Sequence, residues 1–154
     1  LLKKNQRKVR KKEIKGVSKK LDKKINKTNS DISIYLREAL DNYQIGSYIS
    51  SQIMAVVFIE KLLKKHFNEY ENGLSLDEFL KICKENKILK EDLINNIDEA
   101  RKTKNSYTHK LNIQKDYSDI LISELIVGIT SDSKKALKTL KLCKKLYKEI
   151  KVTE

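Results

Sequence analysis

Four residues in one short segment have side chains suited to chemistry: Arg101, Lys104, Asn105 and His109. A histidine carries protons near neutral pH. A cation stabilises negative charge that develops on a reacting group. An asparagine amide orients either the histidine or a substrate. Arg101, Asn105 and His109 are spaced i, i+4 and i+8, so on a continuous helix they form one ridge. Lys104 instead continues an apolar stripe of Leu93, Ile97 and Ala100, with Tyr107 as the next position. Two readings of a lysine there stay open. It snorkels out at the helix end, or it faces a cleft or a partner chain.

The elements that would position this segment read as helical. The chain of 154 residues contains no proline and four glycines, too few turn formers for a strand-rich fold. Asn29, Ser30 and Asp31 suit a helix start, and a helix is expected to run to about Tyr43 with Ile34, Leu36, Ala39 and Leu40 inward. Gly46 breaks it. The next helix spans about Ser47 to Phe67, with a stripe of Ile49, Ile53, Val56, Val57, Leu63 and Phe67, widened by Met54, Phe58 and Leu62. Apolar on most sides, it is expected at the centre of a bundle. Asn72-Gly73 reads as a turn, and Ser75 with Glu78 as a capping box. Leu76, Phe79, Leu80 and Cys83 then follow at helical spacing.

A loop near Asn86 to Leu89 leads to the segment-bearing helix, expected from about Lys90 to Tyr107. A loop is expected over Leu111 to Asp116 and a short helix from Leu121 to Ile129. Ser131, Asp132 and Ser133 read as the cap of a last helix to about Val152, with Leu137, Leu140, Cys143, Tyr147 and Ile150 inward. Eight lysines from Lys134 to Lys151 cover its other faces, as a solvated surface or a phosphate-binding one. The expected fold is an all-α bundle of about five helices, residues 29–154, preceded by a basic helix or arm, residues 1–28.

That leader holds 13 Lys+Arg against 2 Asp+Glu, while the rest of the chain holds 21 against 19. The basic character therefore belongs to the leader and not to the domain. Val9, Ile14, Val17, Leu21 and Ile25 give it a thin apolar stripe, and like charges at i,i+4 oppose its helix. It reads as a linker helix from an upstream domain, consistent with a first residue that is leucine, or as a basic arm that meets phosphates or an anionic membrane surface.

No Gly-rich phosphate loop, HExxH or metal-spaced His/Cys cluster occurs, so no cofactor and no metal are expected. The longest apolar run, Ile53 to Ile59, is too short to span a bilayer. His66 reads as surface. Cys83 and Cys143 read as reduced, half-buried thiols, and a cytoplasmic location is expected.

Lys104-Asn-Ser-Tyr-Thr-His109 resembles the R-N-x-x-x-H motif of HEPN domains. The Tyr48–Lys65 helix, with Glu60 in its second half, is similar to that family's second helix. Ser75 to Ala100 resembles the usual approach to the motif, and the lysine-rich 134–151 helix suits the closing one. The resemblance covers roughly residues 30–152. It implies an RNA-directed domain, in many members a metal-independent endoribonuclease that acts as a homodimer and is silenced by an antitoxin-like protein partner. It places His109, Lys104 and Asn105 in the catalytic site. A two-fold dimer would bring two histidines to one cleft and supply both proton carriers. Lys104 stands where the family has arginine, so the charge is kept and the bidentate fork is lost. By helical geometry alone, Arg101 is a candidate to replace it. The competing expectation is a non-catalytic HEPN-like dimerisation or binding module attached to an upstream effector. A third is a structural bundle that docks through its apolar faces.

Overall fold

The computed structural model describes the backbone of residues 2–28, 30–67, 73–113 and 129–152, and the side chains of 3–19, 31–67, 73–108 and 132–150. Within these residues the chain is all-α, a bundle of six helices with no strand. They are α1 (Leu2–Thr28), α2 (Ser30–Ile45), α3 (Tyr48–His66), α4 (Leu76–Glu85), α5 (Glu91–Ile113) and α6 (Ile129–Val152). The central helix is α3, packed against α2, α5 and α6. Its buried side is built from Ser51, Gln52, Ala55, Val56, Phe58, Ile59, Leu62 and Leu63. That face is rotated from the expected stripe, and Ile49, Ile53 and Val57 are only half-buried. Small and polar residues lead it at the N-terminal end because neighbours approach closely there. Ser51 Oγ donates to the Ala39 carbonyl of α2 at 2.7 Å. Cys143 Sγ of α6 donates to the Ala55 carbonyl at 3.6 Å.

Short-range signals set most boundaries. Ser75 caps α4 by accepting the Glu78 amide at 3.2 Å. Gly46, at φ +87°, ends α2. The Gly46 and Ser47 amides donate back to the Tyr43 and Asn42 carbonyls, which satisfies the last turn. The last turn of α2 carries no basic residue of its own. Arg10 of α1 supplies one from outside, its Nε donating to the Gln44 carbonyl at 2.8 Å, where it meets the partial negative charge of the helix end. α4 ends through the same pair of bonds, from Lys87 and Ile88 back to Lys84 and Cys83, but with Lys87 at φ +52° in place of glycine.

The basic leader is a helix, and it packs on the bundle. Ile14 and Val17 belong to the core, and Tyr43 of α2 donates its hydroxyl proton to Glu13 at 2.7 Å. Burying these two aliphatic side chains contributes about 3–6 kcal/mol. The six i,i+4 pairs of like charge within residues 3–19 cost about 1–3 kcal/mol together. Docking therefore outweighs the repulsion that makes such a helix marginal alone.

Four expectations need correction. Ile34 is 55% exposed, and Ile32 and Tyr43 take the inward positions of α2 with Leu36, Ala39 and Leu40. Cys83 and Cys143 form no disulfide with one another, and both are wholly buried, not half-buried. α5 does not stop at Tyr107. It continues as helix through 111–113, with no glycine or proline in that stretch to end it, and residues 114–116 lie outside the described ones. α6 begins at Ile129, so Ser131, Asp132 and Ser133 lie in its first turns and do not precede it. Asn72 and the helix expected over 121–128 also lie outside the described residues.

Two substitutions check this local chemistry by urea unfolding. Lys87→Gly removes a left-handed strain and is expected to raise stability by about 1 kcal/mol. Ser75→Ala is expected to lower it by about 1 kcal/mol.

Candidate functional site

The first turn of α5 carries Glu91 and Asp92, which suit the positive end of a helix. Its inward stripe of Leu93, Ile97 and Ala100 is buried against the core. Two sets of polar ties then fix its rotation about its own axis. Toward α6, Lys145 meets Asp92 at 3.5 Å and Lys138 meets Glu99 at 3.2 Å, so seven residues along α5 match seven residues back along α6. The run closes with the Tyr107 hydroxyl donating to Asp132 at 2.5 Å. Toward α4, Arg101 bonds Asp98 at 2.8 Å and reaches Asp77 at 3.5 Å.

Because α5 is continuous, Arg101, Asn105 and His109 follow one another on a ridge, each offset by about 40°. Lys104 and His109 are about 140° apart around the helix. The His109 side chain lies outside the described residues. Asn105 is exposed, and its carbonyl and that of Lys104 both accept from the Thr108 hydroxyl, at 3.1 and 3.3 Å. Lys104 is half-buried at the end of the apolar stripe, and among the described residues it has no carboxylate partner. Arg101 is placed differently. Its side chain is 19% exposed, and its guanidinium is engaged by two carboxylates. It ties α4 to α5, and the two carboxylates compete for it with any anion near 104. His66, read from sequence as surface, is half-buried with its ring edge-on to Phe67.

Burial pushes the Asp98 carboxyl up, but Arg101 and Lys102 outweigh it and hold the group below the ordinary carboxylate value. A lowered folded-state value stabilises the fold above the ordinary carboxylate range, and that contribution is lost as pH falls through the lowered one.

A cavity of about 200 Å³ opens between α5 and α6 on the other side of the motif helix. Asn96, Glu99, Thr103, Lys135 and Lys138 form part of its wall, and Gln52 of α3 lies at its floor. Gln52 is 1% exposed; its Nε2 donates to the Ala100 carbonyl at 3.4 Å while its Oε1 has no donor among the described residues. The sequence reading passed over this site. The one available signal was the pair Ser51 and Gln52 leading an otherwise apolar helix. Among the described residues no group of three or more His, Cys, Asp or Glu is arranged to hold a metal ion. No helix among them is long and apolar enough to cross a membrane.

The stability gap between the parent and Arg101→Gln is expected to be widest near pH ~7 and to narrow as pH drops toward ~3, because Asp98 then becomes protonated in both. Chemical denaturation across that range reads it. Gln52→Met is expected to leave stability unchanged or to raise it, since it removes a buried oxygen with no donor. A loss above about 1 kcal/mol would mean that Oε1 is satisfied in solution.

Comparison with known proteins places no relative beside these observations: no family model, no curated protein and no solved structure matches the chain.

Proposed function

We propose that the chain is an RNA-directed HEPN-like domain that acts as a homodimer and cleaves RNA without a metal ion. The observation that carries this reading is the unbroken course of α5 from Glu91 to Ile113. It keeps Lys104, Asn105 and His109 on one rigid helix, with Lys104 half-buried and free of a carboxylate partner among the described residues. An ammonium group held at the edge of a core without a counter-ion is suited to an anionic substrate.

In this reading His109 carries the proton. One His109 takes the proton of the 2′-hydroxyl as that oxygen attacks the adjacent phosphorus. His109 of a second copy, which enters the step as the imidazolium, gives its proton to the leaving 5′-oxygen. Lys104 stabilises the extra charge on the phosphorane, and Asn105 orients imidazole or phosphate. Two copies are needed because each chain brings one histidine to this ridge. The same surface is where an antitoxin-like partner would silence the activity. A cytoplasmic setting fits two buried thiols that are not joined as a disulfide.

A second reading has one specific observation in its favour. Arg101 is occupied by Asp77 and Asp98, so no guanidinium replaces the family's arginine beside Asn105. A dimerising HEPN-like module without catalysis, serving an upstream effector, would tolerate that.

The test uses the purified chain and single-stranded RNA in the presence of a metal chelator. His109→Ala is expected to reduce cleavage about 100-fold or more with helical content and dimer mass retained. Lys104→Arg is expected to cleave at least as fast as the parent, and Lys104→Ala more slowly. A parent chain that dimerises but leaves every RNA intact selects the second reading. A monomer with no cleavage removes both.

A further inference from the structure

The cations of α1 are arranged in rows. Lys3, Arg7, Lys11, Lys15 and Lys19 recur every fourth residue, and Lys4, Lys8 and Lys12 run beside them. All eight are exposed. Elsewhere only some of the lysines have a carboxylate partner, Lys65 with Asp31, Lys81 with Asp77, Lys90 with Glu149 and Lys102 with Asp98 among them, whereas others such as Lys84, Lys87 and Lys148 have none among the described residues. None of the eight has a carboxylate partner among the described residues. The nearby acid, Glu13, accepts from the Tyr43 hydroxyl. Docking through Ile14 and Val17 holds this uncompensated charge in a fixed geometry.

The row also has a direction. Successive members are about 6 Å apart along the axis and rotate by about 40°. Lys19 lies on the side of α1 away from Ile14, whereas Lys3 falls within about 20° of Ile14 around the helix. Arg10 is level with Gln44, one residue before the end of α2, and α1 runs antiparallel to α2. Lys3 and Arg7 therefore continue the docking face of α1 beyond the last turn of α2. That is also the end of the bundle where α3 begins and where α5, past its Ala100 contact with Gln52, carries residues 104–109.

We infer that α1 is a cationic rail that binds the phosphate backbone of single-stranded RNA and leads it from the outer face at Lys19 to the bundle end at Lys3. The choice of RNA rests on the function proposed above; the rail itself rests on the charge rows. The five-membered row is about 24 Å long, the axial length of roughly seven nucleotides at the per-strand spacing of duplex DNA and of fewer in an extended single strand. An anionic membrane fits poorly. A membrane-surface helix needs an exposed apolar face, and here Ile14 and Val17 face the core, with Val9 the large apolar side chain left exposed on α1 among the described residues.

Binding of a labelled uridine oligonucleotide, followed by fluorescence anisotropy at several salt concentrations, tests the inference. The triple variant Lys3→Glu, Arg7→Glu, Lys11→Glu is expected to bind about tenfold more weakly or worse, with a salt slope shallower by about 2. Its melting temperature should stay at or above that of the parent: positions 3, 7 and 11 still repel one another as glutamates, but their pairs with Lys4, Lys8, Arg10 and Lys15 become opposite-charge ones. The charge-matched control Lys84→Glu, Lys87→Glu, Lys148→Glu is expected to bind within about twofold of the parent. Equal binding by the α1 variant, or an equal loss in the control, overturns the rail. So does a parent that binds no RNA, or an α1 variant that loses phosphatidylserine vesicles while keeping RNA. A parent that binds through α1 yet never cleaves leaves the rail standing and removes the catalytic reading. Intact cleavage with α1-independent binding does the reverse.

Discussion

The angular setting of α5 is the constraint on which the rest of this molecule depends. Leu93, Ile97 and Ala100 lock one side of that helix into the core, and this alone determines which residues look outward. Polar ties on both flanks then remove the remaining rotation. On one flank Arg101 holds Asp77 and Asp98; on the other Lys138, Lys145 and Asp132 of α6 hold Glu99, Asp92 and Tyr107. Surface ion pairs contribute little stability individually. Spaced along a helix they act instead as register marks. The candidate ridge of Arg101, Asn105 and His109 inherits its position from them.

The charge of the protein has two physically distinct parts. In α4, α5 and α6 some lysines are paired with carboxylates, Lys81 and Lys102 within their own helix and Lys138 and Lys145 across helices. In α1 they are not, and apolar docking carries the cost of crowding them. The same helix also contributes Arg10 to the end of α2. The segment that looks dispensable by composition is therefore tied to the bundle by burial, by a helix-end contact and by the Tyr43–Glu13 hydrogen bond.

Much of the fold was legible because it rests on local rules. Ser75, Gly46 and the 3.6-residue periodicity of α4 and α5 act within one turn of chain, and the structure uses them as read. The errors fall where a partner decides. Ile34 is as apolar as Ile32, yet it stays 55% exposed while Ile32 is buried. Ser131 to Ser133 look like a cap, but α6 already begins at Ile129 and Asp132 serves as acceptor for Tyr107, a residue of another helix. Arg101 looked available from helical spacing, and only the arrival of α4 beside α5 brought Asp77 to it. Gln52 carried a faint signal, a polar residue at the head of an apolar helix, and gained meaning only through its place under Ala100.

By itself, then, the sequence determined the all-α character, the central role of the 48–66 helix and the spacing that puts Arg101, Asn105 and His109 on one ridge. These follow from glycine and proline scarcity and from periodicity, which are properties of neighbouring residues. Tertiary structure alone decided which cations meet a carboxylate of another helix. Pairs such as Arg101–Asp98 and Lys102–Asp98 follow from helical spacing, but the meeting of Arg101 with Asp77 depends on helices brought together from distant parts of the chain. Arg101 is engaged by Asp98 of its own helix and by Asp77 of α4, while half-buried Lys104 and the exposed rows along α1 meet no carboxylate among the described residues.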